Sequence, residues 1–195
     1  MNWIHRVTRG ARILLGIGLV ALCGMQNAMA ADEEGINVNV SRNGDDVVID
    51  LDFVVPVAPH DAWEVLVDYD HMTNFLSNLK VSRIQEQHGN HLKVEQKGES
   101  SRAGISFAFE SVREIDLVPD EKVTSRAISG TIKKLEATTS LHPQSDGTHI
   151  EYHSVSLPNV WLPPVIGTSI VGSEARKQFA EIRAEILRRK AAEKS

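Results

Sequence analysis

Residues 163–190, near the C-terminus, constrain the fold more than any other segment, because helical periodicity runs through their whole length. Apolar and small residues recur in steps of three to five, which is typical of one stripe of an α-helix. Charged side chains, including Glu181 and Glu185, occupy the opposite face, which we expect to be solvated. Pro163 and Pro164 mark the start, since proline is tolerated only in the first turn of a helix. The predicted inward stripe consists of Ile166, Ile170, Ala175, Phe179, Ile182 and Ile186.

The chain between residues 36 and 157 has the pattern of strands separated by turns. Apolar residues alternate with polar ones at 36–40 and again at 47–57, and Asn43-Gly44 between these runs is a strong hairpin signal. Turn signals about every ten residues in the remainder predict an antiparallel meander. Its strands are predicted at 81–87, 91–97, 105–117, 123–129, 132–141 and 148–157, with a long turn at 142–147.

Two short helices are predicted after the first main strand, at 61–67 and 71–76. Either His60 or Asp61 is expected to cap the first helix, and Asp68 and Asp70 are expected to cap and separate the pair. Helices this short are unstable alone and must pack on something larger. The long C-terminal helix must likewise bury its stripe, and the sheet is the surface available. The predicted fold class is therefore α+β, with a curved antiparallel sheet wrapped around a long C-terminal helix.

Residues 1–30 have the three parts of a secretory signal peptide. Three arginines precede an apolar run at 13–25, and an A-x-A pattern ends at Ala30. We expect cleavage after Ala30, then a short acidic leader at 31–35 and a periplasmic or secreted protein. Two alternatives stay open. One is an uncleaved membrane anchor, for which the apolar run is short, and the other is a lipoprotein modified at Cys23.

Cleavage after Ala30 changes the charge and the cysteine content. Three of the 21 basic residues and none of the 26 acidic residues lie in the signal, so the net charge goes from −5 to −8. Cys23 is the one cysteine of the chain, so the mature protein can form no disulfide. A net acidic chain argues against nucleic acid as the main partner. Residues 36–195 are long enough for one domain with a core of its own.

Several short motifs accompany this order of elements. They are VVPVAP at 54–59, AWEVL at 62–66, DYD at 68–70, Met72, Phe75-Leu76, LKVS at 79–82, DGT at 146–148 and Phe179. With the order of the elements, these motifs resemble the helix-grip fold of the START-like (SRPBCC) superfamily. The group that the chain resembles most is the polyketide cyclase/dehydrase and coenzyme-Q-binding START-domain group, and the likeness covers about residues 47–190.

The resemblance implies a cavity between the C-terminal helix and the sheet that holds a hydrophobic small molecule, such as a lipid, a quinone or a polyketide. The leading hypothesis is an exported binding or carrier protein for such a molecule. One alternative is a cyclase/dehydratase- or hydrolase-type enzyme acting in the same cavity, and another is an envelope adaptor without a ligand. A deep acid or base with a perturbed pKa favours the enzyme. Walls of alkyl groups with a few hydroxyls favour the carrier.

The sequence offers no motif for nucleophilic, metal or cofactor chemistry. It contains no Gly-x-Ser-x-Gly elbow, no glycine-rich phosphate loop and, after cleavage, no cysteine. His149 and His153 lie four residues apart on a predicted strand, which separates them by about 13 Å, too far to share an ion. We therefore expect no catalytic residue, no metal and no cofactor.

The inward positions of two predicted strands and of the long helix should form the walls of the cavity. Ser111 and Thr139 interrupt the apolar faces with small hydroxyls, which either suit a ligand with one polar head or mark strand ends that reach solvent. Arg113 lies further along the same strand as Ser111 and is expected to reach solvent. The predicted cavity residues are Phe107, Phe109, Ser111, Leu135, Ala137, Thr139, Trp161, Ile170 and Phe179.

The connection between the last strand and the long helix, residues 160–166, is strongly apolar and stiffened by two prolines. One interpretation is that Trp161 marks a gate, or a surface that touches a membrane transiently during ligand exchange. The other is that this segment packs the start of the helix onto the sheet.

Overall fold

The structure is a computed structural model that describes residues 35–102, 105–158 and 164–194. Side chains are described in these ranges except at 100–102, 105–107, 158 and 164–166. The predicted signal peptide, its cleavage site at Ala30 and Trp161 lie outside the described residues.

The described ranges contain eight strands, two α-helices and one 3-10 helix. The long helix extends two residues beyond its predicted end. The helices are α1 (Pro59–Leu66), the 3-10 helix (Tyr69–Asn74) and α2 (Pro164–Ala192). The strands are β1 (Asn37–Asn43), β2 (Asp46–Val55), β3 (Leu79–His88), β4 (His91–Arg102), β5 (Ile105–Val118), β6 (Lys122–Gly130), β7 (Ile132–Gln144) and β8 (Gly147–Pro158).

All eight strands form one sheet in the order β1-β2-β8-β7-β6-β5-β4-β3, and every neighbouring pair is antiparallel. The meander predicted from the turn spacing is confirmed from β3 to β8. Strand β2 pairs with β8, although the two are far apart in the sequence. The sheet curves around α2, which confirms the predicted α+β helix-grip class.

The hairpin predicted between β1 and β2 closes one residue later than the Asn-Gly pair suggested. Asn43 is the last residue of β1 and pairs with Asp46, which leaves Gly44 and Asp45 as the two-residue turn. Gly44 has a φ of +62°, a conformation that glycine adopts without steric cost.

The long turn predicted at 142–147 is wrong, because β7 continues through most of it. Gln144 pairs with Gly147, so only Ser145 and Asp146 form the turn. Pro143 suggested a strand end, since it cannot donate to a ladder. It is tolerated here because the pairing of β7 with β6 stops at Ser140, which leaves one side of β7 open at Pro143.

The start of α1 differs from the prediction that His60 or Asp61 caps it. Ala58 is the N-cap and Pro59 follows it at the first helical position, where a missing N–H costs nothing. The Asp61 carboxylate accepts a hydrogen bond of 3.2 Å from the Ala58 backbone N–H, so it supports the helix start from within.

Neither the Asp68 nor the Asp70 side chain caps the 3-10 helix, which corrects that part of their predicted role. The N-cap residue is Asp68, but its side chain makes no capping hydrogen bond. Its carboxylate instead contacts His71 at 2.6 Å and Arg189 at 2.7 Å. The Asp70 carboxylate accepts a bond of 2.7 Å from the Ile84 backbone N–H in β3. Both carboxylates therefore tie the 3-10 helix to other elements.

Helix α2 buries the C-terminal part of the predicted stripe, since Phe179, Ile182 and Ile186 are 7%, 5% and 0% exposed. Glu185, predicted on the solvated face, is only 8% exposed. Its carboxylate remains ionised there because Arg188 and Arg189 donate to it at 2.7–2.8 Å. None of the helices in the described part of the chain is long and apolar enough to cross a membrane.

Polar contacts fix the C-terminal half of α2 to the elements around it. Arg189 bonds Asp68 at 2.7 Å, and Lys190 bonds Asp61 of α1 at 2.9 Å. The Glu181 carboxylate accepts bonds from Ser77, one from the backbone N–H at 3.1 Å and one from the hydroxyl at 2.5 Å. These contacts hold α2 at a defined position over the sheet.

Candidate ligand-binding cavity

A cavity of about 460 Å³ lies between α2 and the inner face of the sheet. This volume is within the range of about 300–1,000 Å³ that small-molecule sites occupy. Most of its lining surface is apolar. The apolar residues come from α2, from the sheet and from the two short helical segments, and they include Ile49, Leu66, Met72, Leu76, Phe109, Val123, Ile132, Ile170, Val171, Phe179 and Ile182.

The position of the Phe109 ring depends on a glycine in the neighbouring strand. Gly98 in β4 pairs with Phe109 in β5. A Cβ atom at Gly98 would lie 2.5 Å from Cζ of Phe109 and 2.1 Å from the backbone oxygen of Asn78. The missing side chain thus leaves room for the ring next to β4, where it forms part of the cavity wall.

Strands β6 and β7 separate beside the cavity. Their pairing runs from Lys122↔Ser140 to Arg126↔Glu136 and does not continue into residues 127–135, all of which the structure describes. The β6 arm stays paired with β5 and the β7 arm with β8, so the sheet opens between the two arms of this hairpin. Thr131 and Ile132, at its tip, line the cavity.

Four of the nine predicted cavity residues line this space: Phe109, Thr139, Ile170 and Phe179. Phe179 is the most enclosed of them, since its ring packs against Phe53 and Tyr152. Contact between these residues and a ligand stays a prediction.

The other predicted residues are placed differently. Ser111 and Leu135 are half-buried, and neither is among the lining residues. Ala137 is 8% exposed, lies in the ladder between Ser125 and Ser154, and is not among the lining residues. Phe107 belongs to β5 opposite Ser100, but its side chain, like all of Trp161, lies outside the described residues.

Arg113 lines the cavity, whereas the sequence suggested that it reaches solvent. One of its terminal nitrogens donates a short hydrogen bond to Oε1 of Gln96 in β4. Its Nε atom is fully buried and has no hydrogen-bond partner. Gln96 is itself 7% exposed and lines the cavity next to Arg113. A positive charge therefore lies at the wall of a mainly apolar space.

Two buried phenols share this space with Arg113. Burial raises the pKa of Tyr69 and of Tyr152. A hydrogen bond with Ser154 opposes that rise for Tyr152, and the positive charge of Arg113 opposes it in both. Both phenols therefore keep their protons at neutral pH and can donate hydrogen bonds.

Sequence reasoning missed Tyr69, Met72, Gln96 and Arg113 as cavity residues. A usable signal existed for Gln96, because it shares the even-numbered face of β4 with the apolar Leu92 and Val94.

The histidines of the sheet serve as partners of surface carboxylates. His149 contacts Asp52 at 3.3 Å, and His153 contacts Asp50 at 2.7 Å. Within residues 35–102, 105–158 and 164–194, no group of three or more potential ligands could hold a metal ion.

Solved structures with this fold come from several bacteria. The STAR-related lipid transfer protein of Xanthomonas axonopodis (fragment 25–204) has a TM-score of 0.67 at 15% identity, over 80% of this chain and 95% of that one. The Zhui aromatase/cyclase of Streptomyces sp. R1128 has a TM-score of 0.61 at 14% identity, over 74% and 95%. A START superfamily protein of Mycobacterium smegmatis has a TM-score of 0.59 at 9% identity, over 72% and 97%. At such identities the likeness shows the fold alone.

No curated protein matches the chain in sequence. A family model described as polyketide cyclase / dehydrase and lipid transport matches residues 46–188, which is most of the chain. The match runs from β2 into the last turns of α2 and so includes seven of the eight described strands, most of α2 and the cavity between them. The chain therefore belongs to the polyketide cyclase / dehydrase and lipid transport family.

Proposed function

We propose that this protein binds and carries a hydrophobic small molecule, of the lipid, quinone or polyketide kind, between α2 and the sheet. The observation that carries the proposal is the mainly apolar cavity of about 460 Å³. A space lined by carbon accepts hydrocarbon readily. Each CH₂ group buried in it contributes about 0.8 kcal/mol, so a chain of roughly ten carbons can offset the cost of association.

The titratable groups of the cavity favour a carrier over a cyclase, a dehydratase or a hydrolase. Glu174 on α2 is the one carboxylate among the described residues that line it, and no histidine, cysteine or aspartate is among them. Burial moves the pKa of Tyr69 and Tyr152 upward, away from neutral pH, so neither phenol is poised to exchange a proton. Enzymes of these kinds need an acid or base whose pKa suits the working pH.

Displacement of the neutral dye N-phenyl-1-naphthylamine by lipids and quinones tests the proposal. Ala175 lines the cavity from α2, so Ala175→Trp should fill the space and abolish dye binding. Ala184 is exposed on the same helix, so Ala184→Trp is the matched control and should bind like the wild type. Absence of binding below about 100 μM for every apolar ligand would remove the carrier function.

Native mass spectrometry of protein purified from cells separates carriage from catalysis. A carrier should release its extracted ligand unchanged after long incubation. Conversion of that ligand by the wild type, and not by Ala175→Trp, would favour the enzyme instead.

Export belongs to the same proposal and rests on the three-part pattern of residues 1–30. We expect the exported protein to begin at Ala31, which N-terminal sequencing can check. A membrane-embedded chain that begins at Met1 would contradict it. We further propose that Trp161 contacts the membrane transiently during ligand exchange, so Trp161→Ala should reduce co-sedimentation with lipid vesicles.

A further inference from the structure

The side chain of Arg113 is an unbalanced charge in an apolar setting. Among the described residues it has no carboxylate partner, and its one hydrogen bond goes to the neutral amide of Gln96. Its Nε atom is buried without a hydrogen-bond partner. A charge removed from water is costly unless an opposite charge and hydrogen bonds compensate for it. Arg113 is half-buried, and Glu174 on α2 lines the same cavity but forms no ion pair with it. A bound anion would supply the close opposite charge that the guanidinium lacks.

Gln96 orients the guanidinium without neutralising it. The amide nitrogen of Gln96 donates to the Ser82 hydroxyl at 3.0 Å and contacts the Met72 sulfur at 3.3 Å. These contacts turn the amide oxygen toward Arg113. Gln96 and Ser82 are each 7% exposed, so the amide is fixed by its surroundings.

The nearest acidic residue along the strand points elsewhere. Glu95 precedes Gln96 but pairs with Arg83 at 2.5 Å and Lys97 at 3.1 Å, on the opposite face of the sheet. The neutral acceptor Gln96 therefore lies on the cavity face of the sheet, and the neighbouring carboxylate of Glu95 lies on the opposite face. The positive charge of Arg113 stays available to whatever enters the cavity.

Tyr69 and Tyr152 add hydrogen-bond donors to the same space. A guanidinium and two protonated phenols present N–H and O–H groups, which match an oxygen-rich head. The other walls, among them Phe109, Ile170 and Phe179, present carbon.

We propose that the ligand is an amphiphile with one alkyl chain and an anionic oxygen head, whose head binds Arg113 and whose chain lies along α2. The guanidinium fork fits two oxygens of a carboxylate or a phosphate at once. This inference rests on the proposed carrier function and names the ligand class for it.

Calorimetry with matched ten-carbon ligands tests the head group. Decanoate, decyl phosphate, 1-decanol and decyltrimethylammonium share the chain and differ in the charge of the head. At pH 8 the wild type should bind at least one of the two anions about tenfold more tightly than the alcohol, and the cation most weakly. The anion that binds more tightly identifies the head as carboxylate or phosphate.

Two variants assign the preference to Arg113. Arg113→Met removes the charge but keeps a side chain of similar length, and it should bind the anions no better than decanol. Gln96→Glu keeps Arg113 and gives it an internal counter-charge, so it should abolish the preference as well. Arg126→Met is the matched control, because Arg126 lies exposed on neighbouring β6 and pairs with Glu114. Circular dichroism melts verify that each variant is folded.

The possible results distinguish a failure of the anionic-head proposal from a failure of the proposed carrier function. If the wild type binds decanol as tightly as both anions, or if the folded Arg113→Met and Gln96→Glu proteins keep the preference, the anionic head is wrong and the carrier function stands. If no ten-carbon ligand or other apolar ligand binds at all, both proposals fail.

Discussion

The ring of Phe179 on α2 lies 4.9 Å from the ring of Tyr152 in β8, measured between centroids. The ring of Phe53 in β2 packs edge-on against the Phe179 ring, at 6.0 Å between centroids. Aromatic pairs at such distances stabilise a fold by more than the burial of their apolar area alone. Because Phe179 and Tyr152 also line the cavity, the helix–sheet contact and the candidate site share these two side chains.

Replacing Phe179 by alanine should lower the free energy of unfolding by about 3–5 kcal/mol, the usual cost of removing a buried phenylalanine. Chemical denaturation measures it. Lys177→Ala, at an exposed position of the same helix, is the control and should change stability by less than about 0.5 kcal/mol. A similarly small loss for Phe179→Ala would mean that α2 presents another face to the sheet.

Glu185 should make the free energy of unfolding depend on pH in the acidic range. Hydrogen bonds from Arg188 and then Arg189 lower the pKa of its carboxyl from 4.5 to about 2, against the opposing effect of burial. Because the folded pKa is the lower one, the ionised carboxylate stabilises the fold above about pH 4.5, and this contribution is lost as the pH falls toward about 2.

Glu185→Gln should therefore cost on the order of 3 kcal/mol at pH 7, and the difference from the wild type should shrink between about pH 4.5 and pH 2. Urea denaturation across this range measures it. Glu193→Gln, an exposed change on the turn after α2, is the control and should leave the pH profile unchanged. A difference that stays constant with pH would show that the arginine contacts do not set the titration of Glu185.

Thr148 is fully buried, and its hydroxyl donates a bond of 2.8 Å to the backbone oxygen of Val57. Thr148→Val keeps the shape but leaves that oxygen without its donor. We expect a loss of about 1–3 kcal/mol in the free energy of unfolding. Thr138→Val, on the outer face of β7, should change it by less than about 0.5 kcal/mol. Equal effects at the two positions would contradict a role for the buried bond.

Gly98→Ala should both destabilise the fold and disturb the cavity. Its Cβ would meet the Asn78 backbone and the Phe109 ring, an overlap that costs about 1–3 kcal/mol. Displacement of the ring should also weaken dye binding. Lys97→Ala, one residue earlier and on the outer face, is the control for both measurements. Dye binding as strong as that of the wild type would mean that Phe109 does not shape the site.

Much of the fold could be predicted because the residues that become buried are apolar and recur at the spacing of a helix or a strand. Phe179, Ile182 and Ile186 face inward as their spacing indicates. The burial of Glu185 has no such periodic signal in the sequence. Its carboxylate is bonded by Arg188 and Arg189, and Arg189 also bonds Asp68, which is 121 positions away in the chain.

The candidate site was less predictable, for a related reason. Phe109 and Thr139 follow from strand alternation, but whether an inward position faces a cavity or packed side chains depends on where the helices lie. Arg113 lies on the predicted face, but its partial burial depends on other elements packed over β5, which the sequence pattern of β5 does not reveal. Tyr69 and Met72 come from a 3-10 helix whose placement depends on distant contacts.

The pairing of β2 with β8 has a consequence for the order in which the protein can be made. A ribosome delivers β2 about a hundred residues before its partner, because Val47 pairs with Ser156 and Val55 with Thr148. Until Gly147 and the residues after it emerge, β2 and β7 are both open edges, which invite pairing with other chains. Six of the seven pairings join strands that are consecutive in sequence, and β2–β8 is the one that does not. The sheet is therefore completed only when synthesis is nearly finished, and this non-local pairing should be the slow one to form.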